Sequence, residues 1–176
     1  MPLPARKPNR LKNYDYASPG AYFITICTKD KKCIFWQKVG ETIRQPEDVQ
    51  LSKLGKIVKM AIENIPKHYP SLSLENYVVM PNHVHLLLQI SGQPMAAPTH
   101  ASVGAATSRP RAPRISQAVG QMKAAASRQA GFPLWQKLFH DHVVRNDKDY
   151  QRIWEYIQTN EMRWNDDCFY VEPPHP

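Results

Sequence analysis

The chain has 176 residues, 42% of them hydrophobic, and carries a formal net charge of +8 from 23 Lys and Arg against 15 Asp and Glu. This length is typical of one domain, and the hydrophobic fraction suffices for one sizeable core, so we expect a single domain. No stretch approaches the roughly 18 apolar residues of a membrane span, and the N-terminus lacks the apolar run of a signal peptide. We therefore expect a cytoplasmic protein.

The charge balance indicates the class of partner. An excess of Lys and Arg favours a polyanion, because contacts to phosphates release condensed counterions, and nucleic acid is the leading candidate. Charge alone leaves open a basic protein that binds nothing. The 4 Trp and 8 Tyr add surfaces on which unpaired bases could stack, although most of them should lie in the core.

The first segment of the chain is basic. It comprises residues 1–13 and shows no apolar period. Such a segment is typical of an arm that lies on a phosphate backbone, and equally of a solvated tail. Its candidate DNA-binding residues are Arg6, Lys7, Arg10 and Lys12.

The next two segments predict a strand and a helix. Residues 20–28 are β-branched and aromatic and follow a Pro-Gly pair, which predicts a strand. Residues 51–65 place apolar side chains at steps of three and four, which predicts an amphipathic helix ended by Pro66.

The middle of the chain predicts a hairpin followed by a linker. Residues 72–80 and 83–90 are strand candidates, and Pro81-Asn82 between them supplies the chemistry of a tight turn. Residues 91–113 are rich in Ala and Pro without an apolar period, so they predict a flexible linker within the domain.

The last third predicts a helix, a strand and a second helix. Residues 114–129 have helical apolar spacing, and residues 134–144 favour a strand despite a polar middle. Asn146 or Asp147 could cap a final helix that runs to about residue 160. The element order is the split βαβ pattern with one more helix. The expected fold class is α+β, a ferredoxin-like antiparallel sheet with helices on one face plus an extra C-terminal helix.

Two histidines on the second strand of the hairpin are the sharpest local feature. Strand side chains alternate between faces, so His83 and His85 point the same way while Val84 and Leu86 point into the opposite layer. Two adjacent imidazoles can ligate one divalent metal. The spacing leaves open a pair of hydrogen-bonded core histidines.

The final helix is the best candidate to bring a nucleophile to these histidines. Tyr150, Ile153, Trp154 and Ile157 fall on one stripe, which should be the core face, and Tyr156 lies off it. Phosphate chemistry requires such a nucleophile beside the metal.

The edge of this helix that carries Tyr156 combines three kinds of group. Asn160 lies one turn on, and Arg152 and Arg163 share the flank, so a phenol, an amide oxygen and positive charge occur together. This combination suits a phosphodiester. The helical pattern leaves open that Tyr156 only seals the helix edge and that Asn160 only ends the helix.

Three segments carry a resemblance to a known family. They are residues 10–28 (RLKNYDYASPGAYFITICT), 77–90 (YVVMPNHVHLLLQI) and 134–160 (LWQKLFHDHVVRNDKDYQRIWEYIQTN). Together they resemble the single-tyrosine HUH transposases, especially the REP-associated tyrosine transposase branch. The similarity covers nearly the whole chain apart from the Ala/Pro-rich segment and the last few residues.

The resemblance implies a role for each site residue. His83 and His85 would bind Mg²⁺ or Mn²⁺, which polarises the scissile phosphate. Tyr156 would attack that phosphate, leaving DNA on a 5′-phosphotyrosine and freeing a 3′-hydroxyl, and Asn160 would be the third metal ligand. The family usually has Pro after this Asn, whereas Glu161 follows here, a departure that could lengthen the helix.

The resemblance also implies the substrate, which is single-stranded DNA near small palindromes that fold into hairpins. Two alternatives remain: a hydrolytic metal-dependent nuclease and a non-catalytic DNA-hairpin-binding protein. Either a monomer or a homodimer that exchanges helices is compatible with the sequence. Besides the arm, the candidate DNA contacts are Arg111, Arg114, Lys123, Arg128, Arg152 and Arg163.

Overall fold

The computed structural model describes residues 18–38, 49–91 and 115–171. The basic arm with Arg6, Lys7, Arg10 and Lys12, and nearly all of the Ala/Pro-rich segment, lie outside the described residues. None of the helices within those ranges is both long and apolar enough to cross a membrane.

Strands and helices follow the predicted order along the chain. The strands are β1 (Gly20–Cys27), β2 (Leu72–Val79), β3 (His83–Ile90) and β4 (His140–Val143). The helices are α1 (Lys53–Glu63), α2 (Ile65–His68), α3 (Ile115–Ala130) and α4 (Asp147–Thr159). Short 3₁₀ turns occupy Lys29–Lys31 and Glu161–Asp166.

The strands form one antiparallel sheet in the order β2-β3-β1-β4. The hairpin β2–β3 places its second strand beside β1, and β4 pairs with the other edge of β1. This order is that of a ferredoxin-like sheet, and it confirms the predicted α+β class. The two central strands, β1 and β3, carry most of the fully buried side chains.

Helices cover the two faces of the sheet differently. On one face α1 packs against α3 and β2, and Tyr77 on β2 donates from its hydroxyl to Glu63 Oε1 of α1 at 2.6 Å. The C-terminal helix α4 packs on β2 and β3 from the other side, where Asn76, the next residue along β2, reaches the Trp154 carbonyl at 3.5 Å. The structure therefore confirms the predicted helices on one face and the additional C-terminal helix.

The end of α1 differs from the prediction. Ser52 caps its N-terminus by accepting from Gly55 N at 3.1 Å. The helix ends at Glu63 with Asn64 as its C-cap, before Pro66 is reached. Pro66 lies instead in the first turn of α2. No helical hydrogen bond is lost there, because the first N–H groups of a helix have no acceptor within the helix. The prediction that Pro66 ends the helix is therefore wrong.

β4 is much shorter than the predicted strand over 134–144. Leu134 and Trp135 are buried, and Trp135 bridges to Thr28 beyond the end of β1. The carbonyls of Gln136 and Lys137 accept from the Lys123 ammonium at 2.7 and 3.1 Å. Gln136 N still donates to the Cys27 carbonyl at 3.0 Å, but regular pairing with β1 begins only at His140.

α4 follows the sequence pattern closely. Asn146 caps it by accepting from Asp149 N at 2.9 Å. Ile153 and Ile157 are buried, and Tyr150 and Trp154 pack against the core at its edge. The predicted core stripe is therefore confirmed. The α-helix ends at Thr159, and the chain continues through Asn160 into the 3₁₀ turn rather than into a longer α-helix.

Candidate active site

His83 and His85 lie side by side on the face of β3 that carries α4. They are 0% and 2% exposed, and their Nε2 atoms are 3.0 Å apart. The intervening Val84 points to the α1/α3 face and is fully buried. The alternation expected of a strand thus pairs the two imidazoles inside the protein rather than on its surface.

Asn82, in the turn between β2 and β3, fixes the orientation of His83. Its amide nitrogen donates to the carbonyls of Phe169 and Lys31 at 2.8 and 3.3 Å. These two bonds turn Oδ1 toward His83 Nδ1, which lies 2.8 Å away and donates to it. The proton of His83 therefore resides on Nδ1, and the lone pair of Nε2 points toward His85.

The Nε2 atom of His85 faces the Nε2 atom of His83. The Nδ1 atom of His85 lies 2.9 Å from Thr25 Oγ1 on β1, which accepts the Nδ1 proton when Nε2 binds a cation. Burial, together with the charge of Lys31, lowers the pKa of His83 to about 3. Burial and the neighbouring His83 hold the pKa of His85 well below its usual value. Both rings are therefore neutral, the form that ligates metals.

Asp167 joins the two histidines, and no sequence signal pointed to it. Its Oδ2 lies 3.8 Å from His83 Nε2, and its side chain is only 2% exposed. One ligand atom from each of Asp167, His83 and His85 falls within 4.8 Å of the others. Asp167 follows the 3₁₀ turn after α4, so only the path of the chain beyond that helix brings it here.

Tyr156 reaches the same cluster from α4. Its hydroxyl lies 3.3 Å from His85 Nε2 and 3.3 Å from Asp167 Oδ2. The residue is 37% exposed, so the phenol is accessible from outside. Burial of the hydroxyl and the charge of Asp167 raise the pKa of Tyr156 to about 12. Without a cation, then, the phenol keeps its proton.

Asn160, one helical turn after Tyr156, lies beside the tyrosine hydroxyl. It is 2% exposed, and a hydrogen bond from its side chain to Tyr156 opposes the rise in the tyrosine pKa. Its Oδ1 is buried and has no hydrogen-bond partner among the described residues. Buried amide oxygens are rarely left unpaired, so this oxygen is suited to a ligand.

The donor set fits a divalent cation. Two neutral imidazole nitrogens, one carboxylate oxygen and one amide oxygen are ligands that Mn²⁺ and related metals accept. Two ligand atoms about 2.1 Å from a cation and at right angles to each other are about 3.0 Å apart, which matches the separation of 3.0 Å between the Nε2 atoms of His83 and His85. In the absence of a cation, His85 can donate from Nε2 to His83 Nε2 while its Nδ1 accepts from the Thr25 hydroxyl, and a cation between the rings would replace that hydrogen bond.

The face of the sheet beside the cluster is open toward β4. Phe23 on β1 stacks on His85 with ring centres 5.1 Å apart and meets Tyr156 edge-on at 6.0 Å. His142 on β4 pairs in register with Phe23, is exposed, and bonds Asp149 of α4 at 2.7 Å. An aromatic strip thus leads from the cluster to the edge of the sheet.

The basic residues expected to contact DNA occupy different places. Arg152 is exposed on α4 and pairs with Asp149 at 2.7 Å, and Arg163 is exposed in the following 3₁₀ turn. Arg128 is exposed on α3, across the sheet from the cluster. The ammonium of Lys123 is bound to two backbone carbonyls, and burial lowers its pKa, so it serves the fold. Arg111 and Arg114 lie outside the described residues.

Among the proteins that resemble the chain are two relatives and one solved structure. A Haemophilus influenzae protein of unassigned function is 37% identical over 175 residues, which are 95% of this chain and 94% of that protein. A second H. influenzae protein, described as a candidate REP-associated tyrosine transposase, is 23% identical over 156 residues, covering 87% of this chain and 77% of that protein. A REP-associated tyrosine transposase solved bound to a REP hairpin has a TM-score of 0.54 and 18% identity, covering 86% of this chain and 71% of its own.

No protein-family profile matches the chain. The similarity to the first relative spans almost the full length of both proteins. The second relative and the solved structure each cover more than four-fifths of the chain and carry the same family description. The chain therefore resembles the REP-associated tyrosine transposases in sequence and shares the fold of the solved one.

Proposed function

We propose that this protein is a metal-dependent endonuclease and strand transferase that cuts single-stranded DNA through a 5′-phosphotyrosine intermediate. The observation that carries the proposal is the position of the Tyr156 hydroxyl, 3.3 Å from both His85 Nε2 and Asp167 Oδ2 and open to the outside. A hydroxyl beside a buried donor set is suited to attack a phosphate that the same donors help to hold.

The chemical step is an exchange of one phosphoester for another. A bond forms between the Tyr156 oxygen and phosphorus, and the bond from phosphorus to the 3′-oxygen of the preceding nucleotide breaks. The phenol releases its proton to solvent and the departing 3′-oxygen takes one up from solvent, so the exchange is balanced in protons. Because the new bond is also a phosphodiester, the reverse attack by a 3′-hydroxyl rejoins the strand without an external source of energy.

His83, His85, Asn160 and Asp167 would hold Mg²⁺ or Mn²⁺. Bound there, the cation would neutralise non-bridging phosphate oxygens and lower the pKa of the phenol. The protein residues do the rest: Asn82 and Thr25 orient the imidazoles, and α4 carries the nucleophile at a fixed distance from them.

Hairpin-forming DNA is the proposed substrate. The net charge of +8 favours a nucleic acid, and the structural relative is described as bound to a REP hairpin. The strip formed by Phe23 and His142 beside Tyr156 provides a surface on which unpaired bases can stack. Arg152 lies on the same helix as the nucleophile, and we propose it and Arg163 as phosphate contacts, together with the basic arm.

The test is covalent capture of DNA. The wild-type protein is incubated with Mn²⁺ and a set of single-stranded oligonucleotides that carry hairpins, and a denaturing gel is read for a protein-DNA adduct. Tyr156→Phe should abolish both the adduct and cleavage, whereas the matched control Tyr150→Phe on the same helix should retain them. A chelator should abolish both for every variant.

The alternatives give different patterns in this experiment. A hydrolytic nuclease uses water, so Tyr156→Phe would still cleave and no adduct would form with any variant. A non-catalytic hairpin-binding protein would retard the oligonucleotide on a native gel and leave it intact. Either pattern would overturn the proposed phosphotyrosine chemistry.

A further inference from the structure

The 3₁₀ turn after β1 has an uncommon backbone. Asp30 and Lys31 have φ angles of 59° and 53°, so two consecutive residues other than glycine adopt the left-handed conformation. Each such residue costs roughly 1 kcal/mol. Conformations of this kind persist where the surrounding structure holds them, and they cluster at functional sites.

The turn is attached directly to the histidine cluster. Asn82 Nδ2, whose partner oxygen orients His83, donates to the Lys31 carbonyl at 3.3 Å. On the preceding side, Thr28 is fully buried and its hydroxyl donates to the Lys32 carbonyl at 2.9 Å. The backbone of Lys31 is therefore fixed relative to the metal-binding rings rather than free to move with the surface.

The side chain of Lys31 extends toward the Phe169 ring, which packs against His83 of the cluster. Its ammonium lies 5.5 Å from the centre of the Phe169 ring, and that ring lies 4.7 Å from the ring of His83. The ammonium is close enough to contribute to the lowered pKa of His83. Lys31 is exposed and takes part in none of the ion pairs found among the described residues.

We infer that Lys31 is a phosphate-binding residue of this site, which contacts a non-bridging oxygen of the DNA strand at the position of the cut. This inference rests on the proposed function. The local geometry supports it: the backbone is strained, it is tied to the residue that orients His83, and it presents an ammonium beside the Phe169 ring that has no carboxylate partner among the described residues. An ammonium there adds one positive charge to the phosphate-binding surface beside the cation.

The neighbouring lysines provide matched controls. Lys29 and Lys32 belong to or adjoin the same turn and are exposed, and neither shows the contact with Phe169. Alanine variants of Lys29, Lys31 and Lys32 each remove one positive charge from the same surface. Any effect specific to Lys31→Ala therefore reflects the position of its charge rather than the net charge of the protein.

The experiment combines binding and single-turnover chemistry. Affinity for a hairpin oligonucleotide is measured against salt concentration with Ca²⁺, and the rate of adduct formation at saturating DNA is measured with Mn²⁺. Lys31→Ala should reduce the slope of log affinity against log salt by about 0.7, the contribution of one phosphate contact on a single strand. It should also slow adduct formation about tenfold, less than the loss of a buried oxyanion donor, and Lys31→Arg should recover part of the rate.

Lys31→Gly separates the charge from the backbone. Glycine adopts a positive φ without strain, so this variant should melt at or above the temperature of the wild type while it shows the same loss of rate as Lys31→Ala. If Lys31→Ala and Lys31→Gly show the same rate of adduct formation and the same salt slope as Lys29→Ala, the inference is overturned. If the wild type forms no adduct at all, the proposed chemistry fails, and the salt slopes still decide whether Lys31 contacts a phosphate.

Discussion

Asn82 is expected to control metal affinity although it is not itself a ligand. Its Oδ1 accepts from His83 Nδ1 at 2.8 Å, and its Nδ2 donates to the carbonyls of Phe169 at 2.8 Å and Lys31 at 3.3 Å. Asn82→Ala removes all three contacts in a region where Asn82 is 1% exposed. Without the acceptor, the His83 ring is free to carry its proton on Nε2, which then cannot bind a metal.

The size of the effect follows from these contacts. The short hydrogen bonds to His83 and to the Phe169 carbonyl contribute about 1 kcal/mol each, and the buried Nδ1 of His83, left without a partner in either tautomer, adds a desolvation cost of about 1–3 kcal/mol, so Asn82→Ala should lower the free energy of unfolding by about 3–5 kcal/mol. Loss of a partner that orients a metal-ligating histidine typically lowers metal affinity about 10- to 100-fold. The Mn²⁺ affinity of Asn82→Ala should fall within that range.

A second substitution separates the two roles of the Asn82 amide. Asn82→Asp keeps an acceptor for His83 but loses both donors and places a negative charge against two carbonyl oxygens. It should therefore retain or increase Mn²⁺ affinity while the metal-free protein loses stability. Calorimetric titration with Mn²⁺ and urea unfolding in the presence of a chelator measure the two quantities, and Asn76→Ala on β2 is the control. Wild-type Mn²⁺ affinity in Asn82→Ala would refute the argument that Asn82 sets the tautomer.

Two further predictions concern stability. Gly55→Ala should lower the free energy of unfolding by about 1–3 kcal/mol, because a Cβ there would lie 2.2 Å from the Phe35 carbonyl oxygen. A Cβ at Gly120 would have nothing within 4 Å, so Gly120→Ala should raise the free energy of unfolding by up to about 1 kcal/mol. Urea unfolding of both variants measures these changes. Hydrogen bonds, the largest from Arg152, lower the pKa of Asp149 from 3.8 to about 2, so its ionised form stabilises the fold above 3.8 and this contribution is lost as the pH falls toward 2. The melting temperature of the wild type should therefore approach that of Asp149→Asn over this interval, and a constant difference between the two would contradict the assignment.

Local sequence was sufficient for the elements that carry the site. The alternation along β3 put His83 and His85 on one face, and the helical period of α4 separated Tyr156 from the buried stripe of Ile153 and Ile157. Both patterns depend only on residues a few positions apart, because the period of a strand or helix is fixed by the backbone. The resemblance to the transposase family added Asn160, whose buried oxygen has no partner among the described residues and so fits the role expected of it.

Residues distant in sequence contributed what local patterns could not predict. Asp167 has no periodic or motif context, and it joins the histidines only because the chain turns back after Asn160 through a 3₁₀ turn. Lys31 also could not be predicted from a local pattern, because its carbonyl meets Asn82 only through the pairing of β1 with β3.

By itself, then, the sequence determined the strand and helix types, the faces they present, and the identity of the two histidines and the tyrosine as candidates. Their convergence was decided by tertiary structure, because the Tyr156 hydroxyl and His85 Nε2 are 3.3 Å apart while the residues are 71 positions apart in the chain. Such proximity depends on strand order and on the side of the sheet to which the last helix packs, and these are settled by burial of the whole core rather than by any local pattern.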